Sequence, residues 1–599
     1  MCGIFGVVGT GAAEIKTPFN LLAHRGPDGR GEWRSADGVA LLGHTRLAII
    51  DPSPSGAQPM IDPENGNAIV FNGEIYNHNE IRVEIGDRVA WHSTSDTETL
   101  LKAYAIWGAG CLTRLKGMFA FAVYDVRKGK LLVARDRLGI KPLYYTEDAT
   151  GVMFCSETRP LVKLQKLHVT PAGVAAYLRF GVCPTDEMIF AGIKSLAPGC
   201  YLSADASGRS LQSYWAPVSQ RSNDGKSPTK RIRVLLENAV SEHLVSDVPV
   251  AMFLSGGIDS SILTGLAAKF YPGKLSTFSV GFPQREFDET LLAKKVARRC
   301  GTEHTRIELS EQEVLALVQE AVAAMDLPSV DGINTYVVSK MVARAGIKVA
   351  LTGLGGDELF GGYPSFSDVK WLKYAARMPG WGRAIFRATG ESNLRRLADV
   401  PPIEDAFALA VWRRFQWTDE MLQEAGLPVR MFSEGRLGAW ADDFSQISWA
   451  EISHYMRDTL LRDSDQMGMA AGLELRVPFL DHNLVEYVLS LSEETKRAPK
   501  GVKGLLVESC RDLLTPDVFD RPKMGFGLPF DTWMRGALRD FVRDGIDYLL
   551  GSRVMNSESV MQIRLKFDAR EIHWNRLWAL VVLGHFLRRH DVNRGAFSA

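Results

Sequence analysis

The sequence predicts two domains, an α+β unit followed by an α/β unit, and three observations lead there. At 599 residues the chain exceeds the roughly 250 to 300 residues that one hydrophobic core supports. Short strand-like runs dominate its first third, whereas apolar strands alternate with helices further on. Between the two rhythms lies PVSQRSNDGKSPTK at 217–230, a polar stretch with little to bury that reads as a linker. The expected division is therefore residues 2–215, a linker at 216–230, and residues 231–599.

In the first unit the strand-like runs are Ile4 to Val8, Arg46 to Ile50, Ala68 to Phe71, Met118 to Tyr124, Leu131 to Ala134 and Val152 to Cys155. Helical spacing interrupts them near Ser95 to Trp107 and Pro171 to Phe180. In the second unit an amphipathic helix at Ile232 to Val245 precedes the apolar strand Val248 to Leu254 and a helix from Asp259. Leu275 to Val280, Thr305 to Leu309 and Lys348 to Thr352 read as further strands, with Glu289 to Cys300 as a helix. Near-continuous apolar strands between helices indicate a parallel sheet covered on both faces. From about Trp371 onward the pattern is mostly helical, and Leu577 to Leu583 is too short an apolar run to be more than buried helix.

Lys plus Arg equals Asp plus Glu, so the net charge of zero gives no reason to expect nucleic acid or an acidic membrane as the main partner. Small molecules are the expected partners, with room for a homodimer. Seven cysteines are scattered without a C-x-x-C pair, which argues against zinc and for a reducing compartment. With neither a signal-like opening nor a run of about 20 apolar residues, a cytoplasmic protein is expected.

The chain opens MCGIFGVVG. A small second residue lets the initiator Met be removed, which leaves Cys2 with an α-amine beside its thiol. Such an amine has a reference pKa of about 7.7 to 8.0 and can take the thiol proton. HRGPDG at 24–29, HTRLAIID with Arg46, NGEIYN at 72–77 and SDTE at 95–98 accompany Cys2. Taken singly each has a bland explanation: Arg46 as a surface charge, Asn-Gly as a hairpin turn. Together they resemble the class II glutamine amidotransferase domain, an N-terminal-nucleophile hydrolase with an αββα sandwich, from Cys2 to Trp215. The resemblance implies that Cys2 attacks the glutamine side-chain amide while Asn72 and the Gly73 N–H hold the oxyanion. It also implies that Arg46 binds the substrate α-carboxylate, and Glu74 and Asp96 its α-ammonium. Those roles suit the groups, since Arg offers a planar fork to a carboxylate and an oxyanion donor is worth about 2.7 to 4 kcal/mol. For His24 a structural role in shaping a loop stands level with direct contact.

LSGGIDSS at 254–261 places two glycines and several hydroxyls at a strand-to-helix junction, an anion cradle. The pattern resembles the pyrophosphate loop of ATP pyrophosphatases that form acyl-adenylates. It is not a Walker A loop, because the nearest candidate, Gly225-Lys226-Ser227, has Gln220 in place of its first glycine. Asp259, Asp288 and Asp357 are the candidate Mg²⁺ ligands, with helix capping as their other explanation. With LTGLGGDELFGGY, LELRVPFLD and RPKMGFGLP, residues 230–599 are similar to the asparagine synthetase domain. That similarity implies ATP contacts at Leu254, Ser255, Gly256, Gly257, Asp259, Ser260, Val280, Thr352 and Gly353. It makes Lys523 the candidate catalytic cation, with Lys503 as its rival.

One departure concerns the acceptor. Asparagine synthetases usually carry an acidic residue between the two glycines where this chain has Leu354, so the resemblance implies the reaction type and leaves the acceptor open beside aspartate. Another carboxylate, such as a uronic acid of a surface polysaccharide, is the alternative acceptor. Cys2 argues against lactam formers, which need no ammonia, and SGGIDSS argues against enzymes that deliver ammonia to sugar phosphates. The expectation is a glutamine-hydrolysing, ATP-dependent amidotransferase with an enclosed ammonia passage between its sites.

Overall fold

A computed structural model describes residues 2–217, 227–281, 290–388, 397–403, 405–429, 440, 442–498, 500–519 and 528–590. In the first unit two six-stranded antiparallel sheets lie face to face. One runs in the order Lys194–Ser195, Tyr144–Asp148, Gly151–Cys155, Gly3–Gly9, Ala40–Arg46, Gly29–Arg34. The other runs Gly208–Ser213, Cys200–Asp205, Lys130–Arg135, Gly117–Asp125, Ala68–Ile75, Met60–Ile61. Alternate residues of both, among them Ile4, Leu42, Val70, Ala122 and Phe154, fill the space between the sheets. Helices His78–Ile85 and Asp96–Trp107 cover the outer face of the second sheet, and Thr158–Gln165 and Pro171–Phe180 that of the first. The expected αββα sandwich is thus present.

The second unit is built on a five-stranded parallel sheet in the order Glu303–Glu308, Ser276–Gly281, Val250–Phe253, Val349–Leu351, Glu474–Arg476. Val250 and Met252 face helices Pro228–His243 and Ile258–Phe270, while Ala251 faces Ile333–Arg344. Both faces are therefore buried, as near-continuous apolar strands require. The chain leaves the central strand Val250–Phe253 first to one side and later to the other, so a topological switch point lies between Val250–Phe253 and Val349–Leu351. Ligands of open α/β sheets bind outside the strand ends at such points.

One predicted strand is corrected. Residues 47–50 are not extended into the sheet; the strand is Ala40–Arg46, ending at Arg46. Leu47 and Ile49 are buried in an apolar cluster that also holds Ile232, Leu236 and Val240 of the other unit. Their pattern serves the interface between units rather than a sheet face. Among the described residues no helix is long and apolar enough to cross a membrane.

Candidate functional site

Strand Ala68–Ile75 points Asn72 and Glu74 to one face, two residues apart, beside the start of the chain. Asn72 Oδ1 accepts the Cys2 N–H at 3.0 Å, which fixes the amide with its Nδ2 turned away. That Nδ2 is buried and has no hydrogen-bond partner among the described residues. An orphaned buried donor costs about 1 to 3 kcal/mol, so one beside a nucleophile is what an oxyanion site requires before substrate arrives. The Cys2 sulfur lies 3.8 Å from the Leu47 carbonyl, and burial pushes its thiol pKa upward. A buried thiol needs a base close by, and removal of Met1 leaves the α-amine on the nitrogen that Asn72 already holds.

Arg46, at the end of its strand, is positioned by carbonyls of the following loop. It donates to Ser53 O at 2.9 Å, to Ile50 O at 3.5 Å and to Asp51 O. This leaves part of the guanidinium fork for a carboxylate. Gly56 makes the arrangement possible, since a Cβ there would lie 2.2 Å from Arg46 Nη2. Gly56→Ala is expected to raise KM for glutamine about tenfold or more, the cost of a displaced charge-assisted pair, with kcat changed less. Steady-state glutaminase kinetics check it, and an unchanged KM would remove Arg46 from the substrate site.

Asp96 opens helix Asp96–Trp107, and its Oδ2 accepts the Ile75 N–H at 3.0 Å. Burial pushes its pKa up to about 6. Glu74 lies beside it with Oε2 buried and unpartnered among the described residues, and burial with the nearby Glu474 raises its pKa too. Two carboxylates held poorly solvated await a cation such as an α-ammonium. The sign follows: as pH falls through about 6, Asp96 gains a proton and loses its attraction for that cation. kcat/KM for glutamine should therefore fall on the acid side of pH 6 in the free enzyme, while Asp96→Asn should be weak at every pH and lack that limb. A pH–rate profile with the same acid limb in the variant would assign it elsewhere.

The acidic pair is shared with the other unit. Arg476, fully buried on strand Glu474–Arg476, lies 3.5 Å from Glu74 and 2.7 Å from Glu474. It also donates to His243 O at 2.8 Å and Val245 O at 2.6 Å. Arg25, likewise fully buried, donates to Cys2 O at 3.1 Å and pairs with Glu157 at 3.2 Å and with Asp465 of the second unit at 2.8 Å. His24 binds Glu157 at 2.6 Å, so it holds the loop and not the substrate in this arrangement.

At the switch point, Leu254–Gly257 follows the central strand and helix Ile258–Phe270 starts there. Ser255 Oγ lies 3.1 Å from Ser260 Oγ and accepts the Gly257 N–H at 3.3 Å, closing the turn upon itself. Thr352 and Gly353 leave the neighbouring strand end, and Val280 ends the next strand but one residue. The Thr352 N–H is bonded to Arg476 O at 2.9 Å. The loops touch: a Cβ on Gly356 would lie 2.4 Å from Asp259 Oδ1, so a side chain here would displace the Asp259 carboxylate. Lys503, buried with its backbone at φ +54°, places its ammonium against Asp259 and 2.7 Å from Asp357. Asp288 and Lys523 lie outside the described residues. Leu354 packs partly buried against the apolar cluster around Leu359, Phe479 and Leu480.

A family model of the asparagine synthase matches residues 231–588, and one of the glutamine amidotransferase domain matches residues 1–215. The chain belongs to the asparagine synthase family. It is similar to asparagine synthetase [glutamine-hydrolyzing] 1 of Bacillus subtilis, 31% identical over 99% of this chain and 97% of the relative. A second B. subtilis protein, asparagine synthetase [glutamine-hydrolyzing] 3, is 32% identical over 87% of this chain and 86% of its own length. The amidase chry2 of Gibberella zeae is 29% identical over 88% of this chain and 86% of its own length. As a member of this family the protein is an enzyme, a glutamine-dependent amidotransferase of the ligase type.

Sequence reasoning missed three residues at this family member's candidate sites. Arg25 sits inside the quoted HRGPDG and Arg476 inside LELRVPFLD, yet neither was given a role. Asp465 lay outside every quoted motif. For Arg476 a signal existed: two charges, Glu474 and Arg476, interrupt an apolar run, and a buried charge needs a partner.

Proposed function

We propose that residues 2–215 hydrolyse glutamine at Cys2 and that residues 231–599 use ATP to activate a carboxylate, aspartate being the first choice, for attack by the released ammonia. The observation that carries this is the orphaned Asn72 Nδ2 beside Cys2, a donor set where the tetrahedral oxyanion would form. The Cys2 α-amine takes the thiol proton and the sulfur attacks the amide carbon. Asn72 Nδ2 and the Gly73 N–H receive the oxyanion, and the protonated amine returns its proton to the departing nitrogen. Arg46 takes the glutamine α-carboxylate, and Asp96 with Glu74 its α-ammonium.

In the second unit the Leu254–Gly257 turn and the start of helix Ile258–Phe270 suit the phosphates of ATP, with Ser255 and Ser260 as hydroxyl donors. Leu254, Val280, Thr352 and Gly353 would border the nucleoside. Asp259 and Asp357 already converge on one cation, the Lys503 ammonium, and two carboxylate oxygens facing phosphates fit Mg²⁺. Bound there, Mg²⁺ would offset the charge on the phosphates and the leaving pyrophosphate. Lys503 holds both carboxylates in register, which supports it as a cation at this point; Lys523 stays the other candidate. Between the units, Leu47, Tyr76, Met118, Leu138 and Ile140 share one buried apolar cluster with Leu235 and Leu236, and a passage beside it would keep ammonia neutral in transit.

Leu354 supports a second reading of the acceptor: an apolar, partly buried side chain cannot accept a hydrogen bond from an amino acid, so another carboxylate, such as a uronic acid, fits that position too. Pyrophosphate release with ATP, Mg²⁺ and glutamine, tested on aspartate and a panel of carboxylic acids, decides. Aspartate-dependent release of AMP and asparagine supports the first reading, and release only with another acid the second. Glutamate formation without pyrophosphate under every acid would sink the synthetase half.

A further inference from the structure

With Met1 removed, Cys2 becomes the first residue of the chain, where a backbone frays unless it is tied down. An amine that takes the proton of its own thiol needs that backbone fixed. Two ties hold it. The Cys2 nitrogen lies 3.0 Å from Asn72 Oδ1, and the Cys2 carbonyl accepts the Arg25 Nε–H at 3.1 Å. Strand Gly3–Gly9 begins at the next residue, so the Arg25 contact fixes the peptide that joins Cys2 to the sheet.

Arg25 is itself fully buried, and a buried guanidinium is held in place by its carboxylates. Its Nη1 lies 2.8 Å from Asp465 and 3.2 Å from Glu157. Glu157 is shared, since His24 stands 2.6 Å and Arg159 3.5 Å from it. Asp465 is the nearer carboxylate, and against the burial that opposes a charge it does more than Glu157 to keep Arg25 protonated. It is buried on helix Arg462–Ala470 of the second unit.

That helix is fixed by its neighbours. Asp463 Oδ2 accepts from Ser329 Oγ at 2.6 Å, and Gln466 donates to Asp463 Oδ1 at 2.8 Å and accepts the Asp326 N–H at 3.2 Å. The Asp326 carboxylate in turn accepts the Thr158 and Arg159 N–H groups at 2.8 and 3.0 Å, at the start of the helix that follows Glu157. Both carboxylates on Arg25 are therefore set by the second unit, Asp465 directly and Glu157 through the segment that Asp326 anchors. We infer that Asp465 is a positioning residue for glutamine hydrolysis, supplied by the synthetase unit and acting on Cys2 through Arg25. The inference rests on the reading of Cys2 as the nucleophile, and it makes the seat of that nucleophile incomplete without the other unit. Lys141 lies 3.9 Å from the same carboxylate, so a variant of Asp465 touches two cations and their effects have to be separated.

The test is steady-state glutamine hydrolysis by the full chain carrying Asp465→Asn. kcat should fall about 10- to 100-fold, the scale of a displaced reacting group, while KM for glutamine stays within about threefold. Alkylation of Cys2 by iodoacetamide, read on the N-terminal peptide by mass spectrometry, should slow as well, although no glutamine is present. In an Arg25→Met background Asp465→Asn should add no more than about twofold, whereas in Lys141→Met it should keep its effect. A purely structural role would instead raise KM along with the loss of kcat and leave the two losses at Arg25 and Asp465 additive. Where the Asn variant does not fold by circular dichroism, Asp465→Ala carries the same expectations. An active parent whose Asp465 variant keeps kcat within about twofold, or loses it additively with Arg25→Met, overturns the inference. A parent that hydrolyses no glutamine overturns the reading of Cys2, and this inference with it.

Discussion

Cys2→Ala is expected to lower glutamine hydrolysis by roughly 10⁴-fold or more, the loss typical when an attacking group is removed from an otherwise intact site. Little else should change. Among the described residues the sulfur's hydrogen-bond partner is the Leu47 carbonyl, and Asn72 Oδ1 binds the backbone nitrogen rather than the thiol. Asn72→Ala removes a single oxyanion donor and should cost less, about 10²- to 10³-fold. The order of the two effects separates nucleophile from stabiliser. Pyrophosphate release in the presence of acceptor should persist in Cys2→Ala, because Asp259, Asp357 and Lys503 stand together in the other unit, on helices and loops beside its parallel sheet. Glutamate release within tenfold of the parent enzyme would mean that another group attacks the amide.

What the sequence disclosed was local. Asn72, Gly73 and Glu74 fall on one strand, and Leu254 to Ser260 on one strand-to-helix turn, so short motifs carried their geometry. Elements whose apolar pattern matched their burial were also legible, such as Asp96–Trp107 and Gly117–Asp125. Strand Gly29–Arg34 was not, because it lies at a sheet edge with alternate residues in water and carries GRGEWR. Strand Glu474–Arg476 was missed because three residues, two of them charged, give no period to read. The contacts that join the units were invisible for a different reason: Glu74 and Arg476, or Arg25 and Asp465, are paired by the packing of the whole chain, and nothing in either local sequence specifies the other.

That packing makes Arg476 the residue whose loss should disturb both sites. In Arg476→Met, Glu74 and Glu474 remain buried without their guanidinium, a change expected to destabilise the protein by about 3 to 5 kcal/mol at neutral pH. Against the burial that raises it, Arg476 holds the Glu474 carboxyl below the usual range, so this pairing contributes stability above the unfolded carboxyl pKa, about 4.3, and loses it as pH falls further. The gap between parent and variant in denaturant unfolding should therefore be widest near pH 7 and narrow in acid. Adding Glu474→Gln should restore part of the loss, a coupling of about 1 kcal/mol or more. Because the Arg476 carbonyl accepts the Thr352 N–H at the nucleotide site, KM for ATP and KM for glutamine should rise together in Arg476→Met. Glu74→Gln, which leaves the strand Glu474–Arg476 in place, should raise only the glutamine value. A variant within about 1 kcal/mol of the parent at neutral pH, or one in which only the glutamine KM moves, would make the pairing energetically neutral despite its burial and leave the two sites without this link.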